Sequence, residues 1–83
     1  MKYELTKHAE DVIRERNIPA EYIDMVINNP ELKESDTCDI ELEHYMSRIR
    51  EYDNRILRVI INKNCNPIRV ITVYFDRSMR GKL

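Results

Sequence analysis

Two apolar runs joined by a polar turn occupy residues 55–77 and constrain the fold more than any other segment. The turn, residues 62–67, is rich in Asn, which tolerates left-handed backbone, and its Pro67 stands where the second run begins. An antiparallel hairpin is the simplest structure for such a segment. Strict alternation then predicts one buried face in each strand, formed by Leu57, Val59, Ile61, Ile71, Val73 and Phe75.

The opposite face of this hairpin carries residue types that packing alone does not require. Arg58, Thr72 and Tyr74 have the opposite parity to the predicted core positions. A guanidinium, a hydroxyl and a phenol therefore share one sheet surface, and such groups bind anions, of which phosphate is the commonest in biology. The hairpin predicts an anion-binding sheet face.

Charge is divided unequally between the two halves of the chain. Residues 1–41 hold 5 Lys or Arg against 11 Asp or Glu, a net charge of −6, and residues 42–83 hold 9 against 4, a net charge of +5. A basic half with seven arginines favours RNA or another polyanion as a partner. Neutralisation of a basic sheet by an acidic helical layer explains the same asymmetry equally well.

Size and composition limit the class of protein. At 83 residues the chain predicts one domain with a thin core, which a homodimer or another partner would help to bury. A hydrophobic content of 42%, two cysteines, and neither a signal peptide nor a bilayer-spanning run indicate a cytoplasmic protein without a membrane partner. His and Cys residues show no zinc-ligand spacing and no glycine-rich phosphate loop occurs, so no metal or other cofactor is predicted.

Helical periodicity dominates the N-terminal third. Residues 6–16 predict a helix capped by Thr6 and ended by Asn17. Residues 19–29 predict a second helix, which starts at a proline and stops before Pro30.

The remaining chain predicts a sheet over about residues 32–76 and a short basic tail over 77–83. We therefore expect a single α+β domain, 1–83, in which two N-terminal helices pack on one face of a small antiparallel sheet of three or four strands. The other face of the sheet is then free to bind a ligand.

Short motifs along nearly the whole chain carry a family resemblance. They lie at residues 6–9 (Thr-Lys-His-Ala), 14–19, 26–30, 44–45, 48, 55–60, 67 and 70–77. These motifs resemble the domain of unknown function 4258 family. The resemblance implies a compact α+β domain similar to the RelE-like toxin ribonucleases, a group also likened to barnase and EndoU in fold, with the active site on the sheet. Its positional matches are His8, Arg16, Arg58, Thr72 and Tyr74.

Metal-independent RNA cleavage requires particular types of side chain. It needs a base for the ribose 2′-hydroxyl, positive charge for the phosphorane and an acid for the 5′-oxygen. Histidine has an unperturbed pKa of about 6.5, arginine holds phosphate oxygens in pairs, and tyrosine stacks on a base or donates its hydroxyl. The candidate catalytic residues are His8, Arg58, Tyr74 and His44. The candidate RNA or phosphate-binding residues are Arg16, Arg48, Thr72 and Arg77.

Structural roles compete with each of these functions. His8 flanks an apolar helix stripe, and His44 is predicted on an exposed strand position, where histidines are common. Arg16 at a helix end can offset the helix dipole, and Tyr74 can pack at the edge of the core. Two functions therefore remain open, a toxin-like metal-independent endoribonuclease, or a non-catalytic RNA-binding or protein-interaction module that forms a dimer or pairs with a cognate antitoxin.

Overall fold

Two helices and five strands make up the fold of this protein, whose computed structural model describes residues 2–83. The elements in chain order are β1 (Tyr3–Leu5), α1 (Lys7–Arg16), α2 (Ala20–Asn28), β2 (Leu32–Ser35), β3 (Leu42–Ile49), β4 (Arg55–Asn62) and β5 (Ile68–Phe75). Short 3-10 turns at Arg50–Tyr52 and Arg77–Met79 follow β3 and β5. The strands form one sheet in the order β1, β5, β4, β3, β2.

The prediction that two N-terminal helices pack on one face of an antiparallel sheet of three or four strands is wrong. The protein is α+β with two helices and a five-stranded mixed sheet, because β1 precedes both helices and pairs in parallel with β5. Tyr3 lies opposite Ile68 and Leu5 opposite Val70, whereas the other three pairings are antiparallel. A strand of three residues shows too little alternation to be recognised locally, and its backbone partners come from the far end of the chain.

Local signals define both ends of α1. The Thr6 side chain accepts a hydrogen bond from the Ala9 N–H at 3.1 Å and donates one to the Ile71 carbonyl at 3.1 Å. Thr6 therefore caps the helix and ties its start to β5. Asn17 ends the helix in left-handed backbone, at φ 53° and ψ 46°, with its N–H bonded to the Arg14 carbonyl.

Both helices pack on one face of the sheet, where the core lies. Helix α1 contacts β5, and α2 contacts β3 and β4. The buried residues of this core include Ala9, Ile23, Val26, Ile27, Tyr45, Ile49, Leu57, Val59, Ile61, Val70 and Val73. Apolar residues on the inner faces of the helices and of the three long strands thus bury one another.

A bulge in the β4 and β5 pairing shifts part of the predicted core. Ile60 pairs with Thr72 but Ile61 pairs with Val70, so Ile71 is the extra residue on β5. Val70 is consequently buried, and Ile71, which alternation predicts to be in the core, is only partly buried. Beyond the bulge the parity holds, and Thr72 lies on the face turned away from the helices.

We call this second face of the sheet the outer face. Residues that are paired across neighbouring strands project from the same face of a sheet, so the register defines its members. They are Leu32, Glu34, His44, Met46, Arg48, Ile56, Arg58, Ile60, Thr72 and Tyr74.

Candidate functional site

Arg58 lies at the centre of a hydrogen-bonded cluster on the outer face. Its Nε donates to Asp76 Oδ2 at 2.8 Å, and its Nη2 lies 2.7 Å from the same oxygen. Its Nη1 donates to His44 Nδ1 at 2.7 Å and lies 3.9 Å from a Glu34 carboxylate oxygen. The side chains of Arg58 and Asp76 are each 12% exposed, so the two charges are paired in a largely dry environment.

His44 is held at both ring nitrogens. Because an arginine can only donate, Nδ1 of His44 accepts from Arg58, and Nε2 carries the hydrogen that is donated to Asp36 Oδ1 at 2.7 Å. The hydrogen bond from His44, followed by those from the N–H groups of Cys38 and Asp39, holds the pKa of Asp36 below its usual value. Neither ring nitrogen of His44 is left to accept a proton from a substrate.

Asp76 anchors Arg58 at the end of β5. Ser78 donates to Asp76 Oδ1 from its hydroxyl at 2.6 Å and from its N–H at 2.9 Å. The Ser78 hydroxyl is the largest influence on the pKa of Asp76, and together with Arg58 it lowers that pKa although burial acts in the opposite direction. Asp76 is therefore a carboxylate whose charge is balanced by Arg58.

His8 reaches the outer face from the first turn of α1. Its Nε2 lies 3.3 Å from Thr72 Oγ1, and its side chain is exposed. The contact forms because β1 pairs only with residues 68–70 of β5, and α1 begins beside the next residues of that strand. Tyr74 follows Thr72 on the same face and lies opposite Arg58 in the register. His8, Thr72, Tyr74 and Arg58 thus lie along one surface.

Arg48, a predicted phosphate ligand, is paired elsewhere on the outer face. Its Nη2 lies 3.1 Å from Glu31 Oε2, and its N–H donates to Glu31 Oε1 at 2.9 Å. That N–H, with the guanidinium, lowers the pKa of Glu31. Arg48 therefore shares the outer face with Thr72, but its guanidinium is already paired with Glu31.

A groove of about 740 Å³ opens where the end of α1, the start of β4 and the end of β5 meet. We call it the arginine groove, because its lining includes Arg16, Arg55, Arg77 and Arg80, together with the rings of Tyr22, Tyr52 and Phe75. The two predicted phosphate ligands Arg16 and Arg77 come together here. Sequence reasoning did not single out Arg55, Arg80 or the tyrosines as site residues. The arginine content of the basic half was the only signal for the two arginines, and the tyrosines had none.

Residues 2–83 contain neither a metal-binding cluster nor a membrane-spanning helix. No three His, Cys, Asp or Glu side chains in that range come together as a metal site. Neither helix in the same range is long and apolar enough to cross a membrane.

Comparison with known proteins gives a match to a family model. Residues 5–75 match the family described as Domain of unknown function (DUF4258). No curated protein and no solved structure matches the chain significantly. The matched range runs from the end of β1 to the end of β5, so it contains His8, Thr72 and Tyr74 but neither Arg77 nor Arg80.

Proposed function

The chain belongs to the domain of unknown function 4258 family, and we propose that it is a toxin-like, metal-independent endoribonuclease that cleaves RNA on the outer face of its sheet. The contact between His8 and Thr72 carries the proposal. It joins a helix-borne imidazole to the polar surface that holds Tyr74. A base, a hydroxyl and a phenol are thereby available to a single substrate.

The geometry supports a role for each of these groups in the cleavage reaction. In this proposal His8 donates from Nε2–H to Thr72 Oγ1, which leaves Nδ1 as the basic nitrogen; no residue within 2–83 hydrogen-bonds to Nδ1, so it can take the 2′-hydroxyl proton. The 2′-oxygen then attacks phosphorus and forms a 2′,3′-cyclic phosphate. The 5′-oxygen leaves with a proton donated by the Tyr74 hydroxyl. In this mechanism Arg58 and His44 are positioning residues, because their hydrogen bonds are made within the protein.

The relation to RelE-like toxins is part of the proposal. The motifs around His8 and along β5 resemble the domain of unknown function 4258 family, and that resemblance implies a similarity to these toxins. The concentration of polar groups on one face of the sheet supports the same relation. The arginine groove supports RNA as the substrate, since it supplies positive charge next to the end of the strand that carries Tyr74.

Cleavage of a single-stranded RNA in the presence of EDTA tests the proposal. We expect His8→Gln and Tyr74→Phe to reduce cleavage by about a hundredfold or more, the range of a lost general acid or base. Lys7→Gln, which changes an exposed neighbour in the same helical turn, is the matched control and should cleave normally. Circular dichroism verifies that each variant is folded. Cleavage that survives both His8→Gln and Tyr74→Phe would exclude this site.

The saturated hydrogen bonds of Arg58 and His44 favour a second function, a non-catalytic RNA-binding or protein-interaction module. Such a module would act as a dimer or with a cognate antitoxin. It predicts that RNA is retarded on a native gel without being shortened. Light scattering at two salt concentrations, alone and with the product of the adjacent gene, distinguishes a dimer from a paired complex.

A further inference from the structure

Arg55 carries an unusual polar group in the arginine groove. Its Nε is shielded from solvent and has no hydrogen-bond partner within residues 2–83. The carbon at the centre of its guanidinium lies 4.7 Å from the centroid of the Tyr52 ring, which itself packs 5.1 Å from Phe75. A shielded donor without a partner is costly, and a stacked guanidinium keeps its N–H groups in one fixed plane. Arg55 is thus fixed by Tyr52 in the wall of the groove with unused hydrogen-bonding capacity.

Positive charge in the groove is not balanced by the residues around it. Arg80 pairs with Asp53 at 2.7 Å, and the only acidic lining residue, Asp76, is neutralised by Arg58. The side chains of Arg16, Arg55 and Arg77 form no ion pair with any residue in the range 2–83. Three uncompensated guanidinium groups therefore meet in one groove and attract an anion.

The aromatic lining indicates that this anion is attached to a ring. The Tyr52 ring packs at a tilt against Phe75 and lies under the Arg55 guanidinium, whereas Tyr22 makes no ring or cation contact within residues 2–83. The volume of about 740 Å³ lies within the range of small-molecule sites, about 300–1,000 Å³, and exceeds what a bare phosphate ion needs. Tyr22 is half-buried against the core and also lines the groove, and bases stack on aromatic side chains in proteins that bind single strands.

We propose that the arginine groove binds one nucleotide of a single RNA strand, with its phosphate held by Arg55, Arg16 and Arg77 and its base stacked on Tyr22. The choice of RNA as the source of this nucleotide rests on the proposed function. Binding itself does not need the cleavage chemistry, because His8 and Arg16 lie at opposite ends of α1, about 12 Å apart along its axis. The groove is a subsite that fixes the strand beyond the scissile bond.

An NMR titration with adenosine 5′-monophosphate, inorganic phosphate and adenosine tests this site. We expect the nucleotide to shift the Arg55 Nε–H signal and to bind more tightly than phosphate, while adenosine alone leaves that signal unchanged. Arg16→Gln and Arg55→Lys should each weaken nucleotide binding by about tenfold or more, the effect of one charge-assisted hydrogen bond. Arg14→Gln, in the same helix but outside the groove, is the control and should change binding by less than about twofold. A short single-stranded RNA should bind more tightly than the nucleotide if the strand continues along the outer face.

The nucleotide-binding measurements test the arginine groove independently of any RNA cleavage. Adenosine that binds as tightly as the nucleotide, or an Arg16→Gln variant that binds normally, would overturn the proposal. Arg16 is exposed, so its substitution is informative even if Arg55→Lys fails to fold. Nucleotide binding without RNA cleavage would refute the proposed nuclease and not the groove, and cleavage that depends on His8 without nucleotide binding would do the reverse.

Discussion

Replacing Arg58 with methionine should destabilise this protein more than the removal of any exposed arginine. Methionine keeps much of the aliphatic volume of Arg58 but removes the hydrogen bonds that its guanidinium donates to Asp76 and His44. Breaking a buried ion pair by removing one partner costs about 3–5 kcal/mol, because the other charge is left unpaired. Asp76 keeps both hydrogen bonds from Ser78, so the lower end, about 3 kcal/mol, applies here.

That cost is large for a domain of this size. A chain of 83 residues has a free energy of unfolding of about 4–12 kcal/mol. At about 4–8 °C per kcal/mol, the melting temperature should fall by about 12–24 °C. Urea denaturation followed by circular dichroism measures the free energy, and a thermal scan measures the shift in melting temperature.

A matched control and a double-mutant cycle isolate the cause. Arg69→Met removes another strand arginine, but its side chain is 50% exposed and lies 3.9 Å from Glu4, so we expect a loss of about 0.5 kcal/mol or less. Asp76→Asn combined with Arg58→Met should cost clearly less than the sum of the two single changes. A loss below about 1 kcal/mol for Arg58→Met, or additive effects in the cycle, would show that this cluster does not hold the outer face together.

Two further predictions concern pH and helix capping. The pKa values of Asp36 and Asp76 are lowered by folding, so their contribution to stability is complete above the unfolded value of about 3.9 and is lost as the pH falls through the lower folded values. The urea midpoint should therefore drop below about pH 4, and this drop should be smaller in Arg58→Met; an equal drop would contradict the pairing. Thr6→Ala should lower the free energy of unfolding by about 1–2 kcal/mol, because it removes both the cap of α1 and the hydrogen bond to the Ile71 carbonyl. The control, Thr37→Ala in an exposed loop, should lower it by less than about 0.5 kcal/mol. Equal urea midpoints for the two threonine variants would argue against the cap.

Features that depend on local sequence could be anticipated. The capping hydroxyl of Thr6 and the left-handed Asn17 act within a few residues of themselves, so their effect can be read directly from the chain. The resemblance to the domain of unknown function 4258 family is confirmed by the match over residues 5–75. Strand parity also placed Arg58, Thr72 and Tyr74 on one face, but it misassigned Ile71, because a bulge resets the alternation without a signal of its own.

Features that depend on distant contacts could not be anticipated. Strand β1 is specified by its pairing with β5, and the contact between His8 and Thr72 joins residues 64 positions apart. The arginine groove is assembled from Arg16, Arg55 and Arg77 on three separate segments. Periodicity predicts which face of an element a residue occupies but not which other elements that face will meet.

The nature of the RNA ends after cleavage tests the central claim most directly. The claim is that His8, held by Thr72, removes the proton of a ribose 2′-hydroxyl that then attacks the adjacent phosphate. Phosphorus NMR of the products, together with an RNA that carries a single 2′-deoxyribose at the cleaved position, provides the measurement. We predict 2′,3′-cyclic phosphate ends and no cut at the deoxyribose. Cleavage at the deoxyribose, or products with 3′-hydroxyl ends, would contradict this account.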